Sequence, residues 1–210
     1  MKVNIKFMEE KLLVLSTDNI NKINEIKNIL KDLPIKVLSK KELGIQDIKV
    51  KEDGTTLKEN AIKKAMGISK EVEGIIVADD TGLFVDYLDG RPGVYSSRYS
   101  GEDGSYKKNN EKLLRELDGV SLEKRTAHFE TVIAIITENK EIKTVTGRCE
   151  GKIGFEPKGS EGFGYDPLFI VDGYGKTFAE LGEDIKNNIS HRAKALKNLK
   201  VELKRQLEDD

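Results

Sequence analysis

Cys149 is the only cysteine in the chain, which rules out an intrachain disulfide and leaves a cysteine-based metal site without a second sulfur ligand. Long hydrophobic runs are missing too. No apolar stretch is long enough to span a bilayer, and residues 1–10 lack the apolar segment of a signal peptide, so the expected setting is the cytoplasm, away from membranes. An excess of either charge is also lacking. With 36 Lys and Arg against 37 Asp and Glu the net charge is -1, which argues against a binder of nucleic-acid polymers, whose affinity needs Lys and Arg in excess on one surface. Repeats and low-complexity linkers are absent. A chain of 210 residues can bury a sizeable core, so one domain is expected over 1–210, with a short leader at 1–10 and a frayed end at 208–210.

The most informative stretch is Ala78-Asp79-Asp80-Thr81-Gly82-Leu83, where adjacent carboxylates end the apolar run Ile75-Ile76-Val77. Acids delivered by a buried strand to a turn are suited to a divalent cation, since Mg²⁺ wants a few hard oxygens and keeps several waters. An ordinary turn built on Asp and Gly explains the same residues. Three other segments bear on the choice. Ser16-Thr17-Asp18-Asn19-Ile20-Asn21-Lys22 follows the apolar Leu12-Leu13-Val14-Leu15 and opens a helical spacing at Ile20, Ile23, Ile26, Ile29, Leu30 and Leu33. Strand, polar turn and helix would present backbone N–H groups and Lys22 to a phosphate; without Gly-Lys-Ser/Thr it is no P-loop, and a helix cap with a solvated lysine is the local alternative.

Glycines at 147, 151, 154, 159, 162 and 164 lead into Gly162-Phe163-Gly164-Tyr165-Asp166-Pro167. Here an aromatic ring can stack on a flat ligand, or both rings can plug the core. Ser190-His191-Arg192 opens an apolar series at Ala193, Leu196, Leu199, Leu203 and Leu207. Ser190 would cap that helix, leaving His191 and Arg192 near an N-terminus, where an electronegative ligand would offset their charge, or else solvated or paired with Glu183 or Asp184.

The remaining pattern alternates α and β. Lys36-Val37-Leu38 reads as a short strand, and Thr56-Leu57-Lys58-Glu59 as a capping box for a helix ending near Gly74, with Ala61, Ile62, Ala65, Met66 and Ile68 as its apolar positions. Ile75 to Ala78 reads as a strand, 83–85 as a possible partner, 106–117 as a helix, 128–137 and 141–149 as an antiparallel hairpin, 169–171 as a strand and 190–207 as the closing helix. Hairpin and crossover together imply an α/β fold with a mixed sheet.

In this order and spacing the motifs resemble the inosine triphosphate pyrophosphatase family. They are Thr-x-Asn-x-x-Lys at 17–22, Glu52 before Gly54, Glu59-Asn60-Ala61, the Asp79-Asp80 segment, Gly90-Arg91-Pro92-Gly93-Val94-Tyr95-Ser96, Gly162 to Pro167, Lys186 and Ser190-His191-Arg192. The resemblance implies a long central mixed sheet flanked by helices, two lobes with a deep active-site cleft, and a homodimer. It also implies Mg²⁺-dependent hydrolysis of deaminated purine nucleoside triphosphates, ITP, XTP and their deoxy forms, by attack of water on the α-phosphorus with pyrophosphate leaving. By resemblance Glu52 and Asp80 hold the metal and Asp80 serves as or orients the base. Thr17, Asp18, Asn19, Ile20, Asn21, Lys22 and Thr81 would bind phosphate; Phe163, Gly164, Tyr165, Asp166, Lys186, His191 and Arg192 would bind the base. Asp79 is left as supporting or structural. Asp18 stands where the family usually has glycine, Thr81 where serine is common and Ile185 where glutamate is frequent. The rival readings are a pyrophosphatase of other base preference and a nucleotide sensor without turnover.

Overall fold

The computed structural model describes residues 11–17, 19–101 and 105–208. Its elements are β1 (Lys11–Leu15), α1 (Ile20–Leu30), β2 (Ile35–Ser39), α2 (Leu57–Ser69), β3 (Ile75–Val85), β4 (Pro92–Gly93), α3 (Tyr106–Glu116), β5 (Thr126–Ile136), β6 (Ile142–Ile153), β7 (Phe169–Val171), α4 (Phe178–Ile189) and α5 (His191–Glu208). The expected leader, Asp18 and residues 209–210 lie outside the described residues, and Glu208 is the last residue of α5.

The strands make one mixed sheet in the order β2-β1-β3-β5-β6-β7, with β4 beside β3. β1 runs parallel to β2 and β3, because α1 and α2 are crossovers; β3-β5, β5-β6 and β6-β7 are antiparallel. A tight link with Lys140 at φ 63 closes the β5-β6 hairpin.

β3 departs from the sequence expectation. Asp79 to Gly82 is not a turn, and residues 83–85 are not a partner strand. Residues 75–85 are continuous and pair with β5 from Ile76↔Ile136 to Val85↔Ala127. The long ladder outweighs the local turn preference of Asp and Gly. Gly82 suits this position, since a Cβ there would lie 2.6 Å from the Gly93 carbonyl of β4.

Alternation along β3 sorts its side chains. Ile76 and Ala78 face α2, in a core with Val14, Leu57, Ala61, Ala65 and Ile68. Ile75 and Val77 face α1 and α5, with Leu13, Leu15, Ile26 and Leu199. A third core around Leu83, Leu113, Phe129, Phe169 and Phe178 occupies the other half, under α3 and α4. Asp79 to Gly82 therefore sits where the cores part, on a strand that runs through both halves.

Three further differences concern helices and glycines. α2 begins with Thr56 accepting from the Glu59 N–H at 3.1 Å, but it ends at Ser69, before Gly74, because the Glu71 and Val72 N–H groups both return to the Ile68 carbonyl. Met66 is 43% exposed, and the buried polar residue on that helix is Asn60. α4 was not expected; it carries a capping box between Thr177 and Glu180, but Gly182 at φ 79 interrupts its periodicity. Gly147 and Gly151 are strand residues of β6. A Cβ on Gly147 would collide with the His191 carbonyl and the Ala195 N–H, so this glycine lets the start of α5 lie directly on the sheet.

Candidate active site

The alternation that sorts the cores also parts the two acids. Asp79 continues the Ile75 and Val77 face toward α1, and Asp80 the Ile76 and Ala78 face toward α2. Each meets a lysine. Lys22 places its Nζ 2.6 Å from Asp79 Oδ2. Burial alone would raise the Asp79 carboxyl, but Lys22 and Arg192 outweigh it and hold it down at about 2. On the other face Asp80 Oδ1 accepts from Lys64 Nζ at 3.0 Å and Oδ2 from Asn60 Nδ2 at 3.2 Å. Burial pushes the Asp80 carboxyl above its ordinary value despite Lys64.

Lys64 Nζ is also 3.1 Å from Glu52 Oε2, so one ammonium bridges the two acids expected to hold a metal. Burial would lower its proton affinity, yet Asp80, Asp79 and Glu52 together raise it. The Glu52 segment is pinned twice: Arg98 Nη2 donates to the Glu52 carbonyl at 3.0 Å, and Asn60 Oδ1 accepts from the Gly54 N–H at 2.8 Å. Among the described residues no group of three or more His, Cys, Asp or Glu forms a metal cage. Two carboxylates already arranged about a cation are nevertheless a donor set that suits Mg²⁺, which takes one or two protein acids and shares the phosphates and waters.

The β1-α1 turn is partly self-capped. Thr17 Oγ1 accepts from the Asn19 N–H at 3.2 Å and Asn19 Oδ1 from the Lys22 N–H at 3.3 Å, so two N–H groups that a phosphate would use are engaged. Ile20 points to solvent at 63% exposure and has only backbone to offer. Thr81 Oγ1 shares a hydrogen bond with Thr131 Oγ1 at 2.8 Å.

The other half of the site is built from distant segments. Phe163 is 37% exposed, with Lys186 Nζ 4.5 Å and Arg192 Cζ 5.7 Å from its ring centroid. Asp166 is buried, and its Oδ2 accepts from the Phe163 N–H at 2.8 Å and from Lys186. That oxygen is therefore occupied by protein, which orients Lys186, and Ile185 costs Lys186 no partner. Tyr165 is a core residue; its hydroxyl donates to the Ser96 carbonyl at 2.9 Å, and burial raises its pKa. Ser190 caps α5 through the Ala193 N–H at 3.2 Å. His191 is buried and stacks on Phe129 with centroids 4.6 Å apart. Burial, then Arg192, Lys186 and Lys22, hold its pKa well below the ordinary value, so its imidazole is neutral. Arg192 is also buried, with Nη1 3.7 Å from Glu25 Oε2 and not paired with Glu183 or Asp184.

An opening of about 820 Å³ gathers Asn19, Lys22, Thr81, Phe163, Gly164, Tyr165, Asp166, Lys186, His191 and Arg192. A second, about 1020 Å³, is lined by Thr17, Lys22, Lys40, Lys49, Glu52, Lys64 and Asp79. Lys22 lies on both. Asp80 sits behind Lys64 with 12% of its side chain exposed. Sequence reasoning missed Lys64, Arg98 and Tyr106. Lys64 had a signal: it lies four residues after Asn60, on the face of α2 that buries Leu57, Ala61 and Ile68. The Gly90 to Ser96 motif is a brace, in which Ser96 Oγ accepts from the Leu83 N–H at 2.8 Å and donates to the Gly93 carbonyl at 2.6 Å.

The pattern of the Ham1 family matches residues 13–202. The dITP/XTP pyrophosphatase of Caldanaerobacter subterraneus subsp. tengcongensis is 51% identical over 199 residues, covering 94% of this chain and 98% of that protein. Among solved structures, the Staphylococcus aureus Ham1 protein superposes with a TM-score of 0.87 at 40% identity, covering 93% of this chain and 100% of its own. A HAM1 protein from Coxiella burnetii gives 0.86 at 38% identity, with 93% and 99% covered. This chain belongs to the Ham1 family.

Proposed function

We propose that this protein hydrolyses deaminated purine nucleoside triphosphates, dITP and XTP among them, to the monophosphate and pyrophosphate; its relatives carry the name dITP/XTP pyrophosphatase. The observation that carries the reading is the pair of openings that meet at Lys22. One has an aromatic face with Lys186, His191 and Arg192 beside it, suited to a flat base with a carbonyl. The other has lysines around two acids, suited to a polyphosphate with a divalent cation. A nucleoside triphosphate has this polarity.

Glu52 and Asp80 would hold Mg²⁺, which when bound supplies the positive charge that a polyanion needs before water can approach it. Asp80 takes the proton of the attacking water. Asn60 fixes the orientation of its carboxylate for that transfer. Lys22 binds the phosphates, with Asp79 steering its ammonium on the α1 face of β3. Lys64 neutralises the two acids in the ligand-free protein and gives a second positive charge to the transition state.

Hypoxanthine and xanthine carry oxygen at C6 where adenine has an amino group. Lys186, Arg192 and the single N–H of neutral His191 donate toward that atom; an amino group there would leave buried donors unpaired. The test is pyrophosphate release from dITP, XTP, ATP and GTP with Mg²⁺. Strong preference for dITP and XTP supports the reading; equal turnover of ATP, or binding of all four without turnover, overturns it.

A further inference from the structure

The cleft has a second aromatic wall that none of the sequence motifs includes. Tyr106 is the first residue of α3, is 55% exposed and lines the same opening as Phe163. The two ring centroids are 6.2 Å apart with planes tilted by 35°. One turn further along α3, Asn110 Nδ2 donates to the Gly164 carbonyl at 3.0 Å. The helix that carries Tyr106 is thus tied to the loop that carries Phe163, which holds the two backbone segments together and leaves the exposed Tyr106 side chain to set the gap between the rings.

We propose that Tyr106 is a base-binding residue that closes on Phe163 in the free protein and opens to enclose a purine between the two rings. The inference rests on the nucleotide reading of the cleft and adds the residue that covers the base. A flat ring in van der Waals contact on both faces needs about 7 Å between its walls. The present gap is short of that by roughly 1 Å, with the planes not yet parallel. Exposure of Tyr106 lets its side chain swing by that amount without disturbing the core. Stacking tolerates any base with a π-face, so Tyr106 contributes affinity, while Lys186, His191 and Arg192 contribute selection.

Two measurements test this. In steady-state kinetics with dITP, Tyr106→Ala should raise KM about tenfold with kcat within about twofold, and Tyr106→Phe should behave as the parent, because the ring and not the hydroxyl is used. The thermal midpoint should be unchanged, since the side chain buries little. Separately, the chain has no tryptophan, so Tyr106→Trp introduces a single indole whose fluorescence should be quenched by dIMP, with no turnover required. Parent-like KM in Tyr106→Ala together with an indole blind to dIMP would overturn the proposal. So would a lower KM in Tyr106→Ala, which would make the ring contact a mere obstruction. A parent protein that fails to hydrolyse dITP while the indole still reports dIMP would remove the proposed activity and leave the aromatic wall standing.

Discussion

Replacing Lys64 by Met keeps the aliphatic stem and removes the ammonium shared by Glu52 and Asp80. The bond to Asp80 is largely buried, with side chains 15% and 12% exposed, so its loss should cost about 1.5–3 kcal/mol, the usual range for a hydrogen bond to a charged group. Glu52 is 39% exposed and solvent screens its pair with Lys64, which adds less than about 1 kcal/mol. For a chain of this length about 2 kcal/mol corresponds to a thermal midpoint lower by roughly 4–8 °C. Mg²⁺ should then act in opposite proportion. In the parent it competes with an ammonium already between the acids; in Lys64→Met it meets two uncompensated carboxylates. Calorimetry in EDTA and in millimolar Mg²⁺ should therefore show a large loss for the variant in EDTA and a greater Mg²⁺-induced gain than in the parent. No loss in EDTA, or equal gains in both proteins, would refute the idea that Lys64 holds the place of a cation.

Asp80→Asn preserves shape but removes the charge that takes the proton of water, so turnover of dITP should fall by about two orders of magnitude or more while circular dichroism is unchanged. Near-parent turnover at saturating Mg²⁺ would make Asp80 structural. His191 is held neutral by burial, so its folded pKa lies below the ordinary 6.5; on acidification the unfolded chain takes up a proton that the native state refuses, and stability falls as pH drops below about 6.5. Urea denaturation should show His191→Leu losing about 1 kcal/mol less than the parent between pH 7 and pH 5.5, and parallel pH curves would count against a buried neutral imidazole. Gly147→Ala should drive α5 from the sheet and cost about 1–3 kcal/mol, with KM for dITP rising because His191 and Arg192 move; a parent-like midpoint would contradict the close approach.

Much of the fold is legible in local pattern. The apolar run at β1, the spacing along α1, the β5-β6 hairpin and the Ser190 cap each depend on neighbours in sequence. β3 is not, since its acids and glycine read locally as a turn and only the partner β5, some fifty residues on, makes them a strand. That single difference hid the geometry of the site. Once residues 75–85 are continuous, period-two alternation alone sends Asp79 to Lys22 and Asp80 to Lys64. α4 stayed hidden because Gly182 breaks its apolar rhythm although Thr177 and Glu180 announce its start. The engagement of Asp166 by Lys186 joins residues twenty apart across a glycine-rich loop and α4, a relation that no spacing rule carries. The segments of the base half were visible, but Tyr106 was not, because a lone tyrosine at a helix start has no signature.

The proposed reaction has water attack the α-phosphorus of a deaminated purine triphosphate held across the two openings. Hydrolysis of dITP in oxygen-18 water, followed by mass spectrometry of both products, tests it most directly. The label should appear in dIMP and be absent from pyrophosphate. Label in pyrophosphate, or orthophosphate as the first product, would place the attack on another phosphorus.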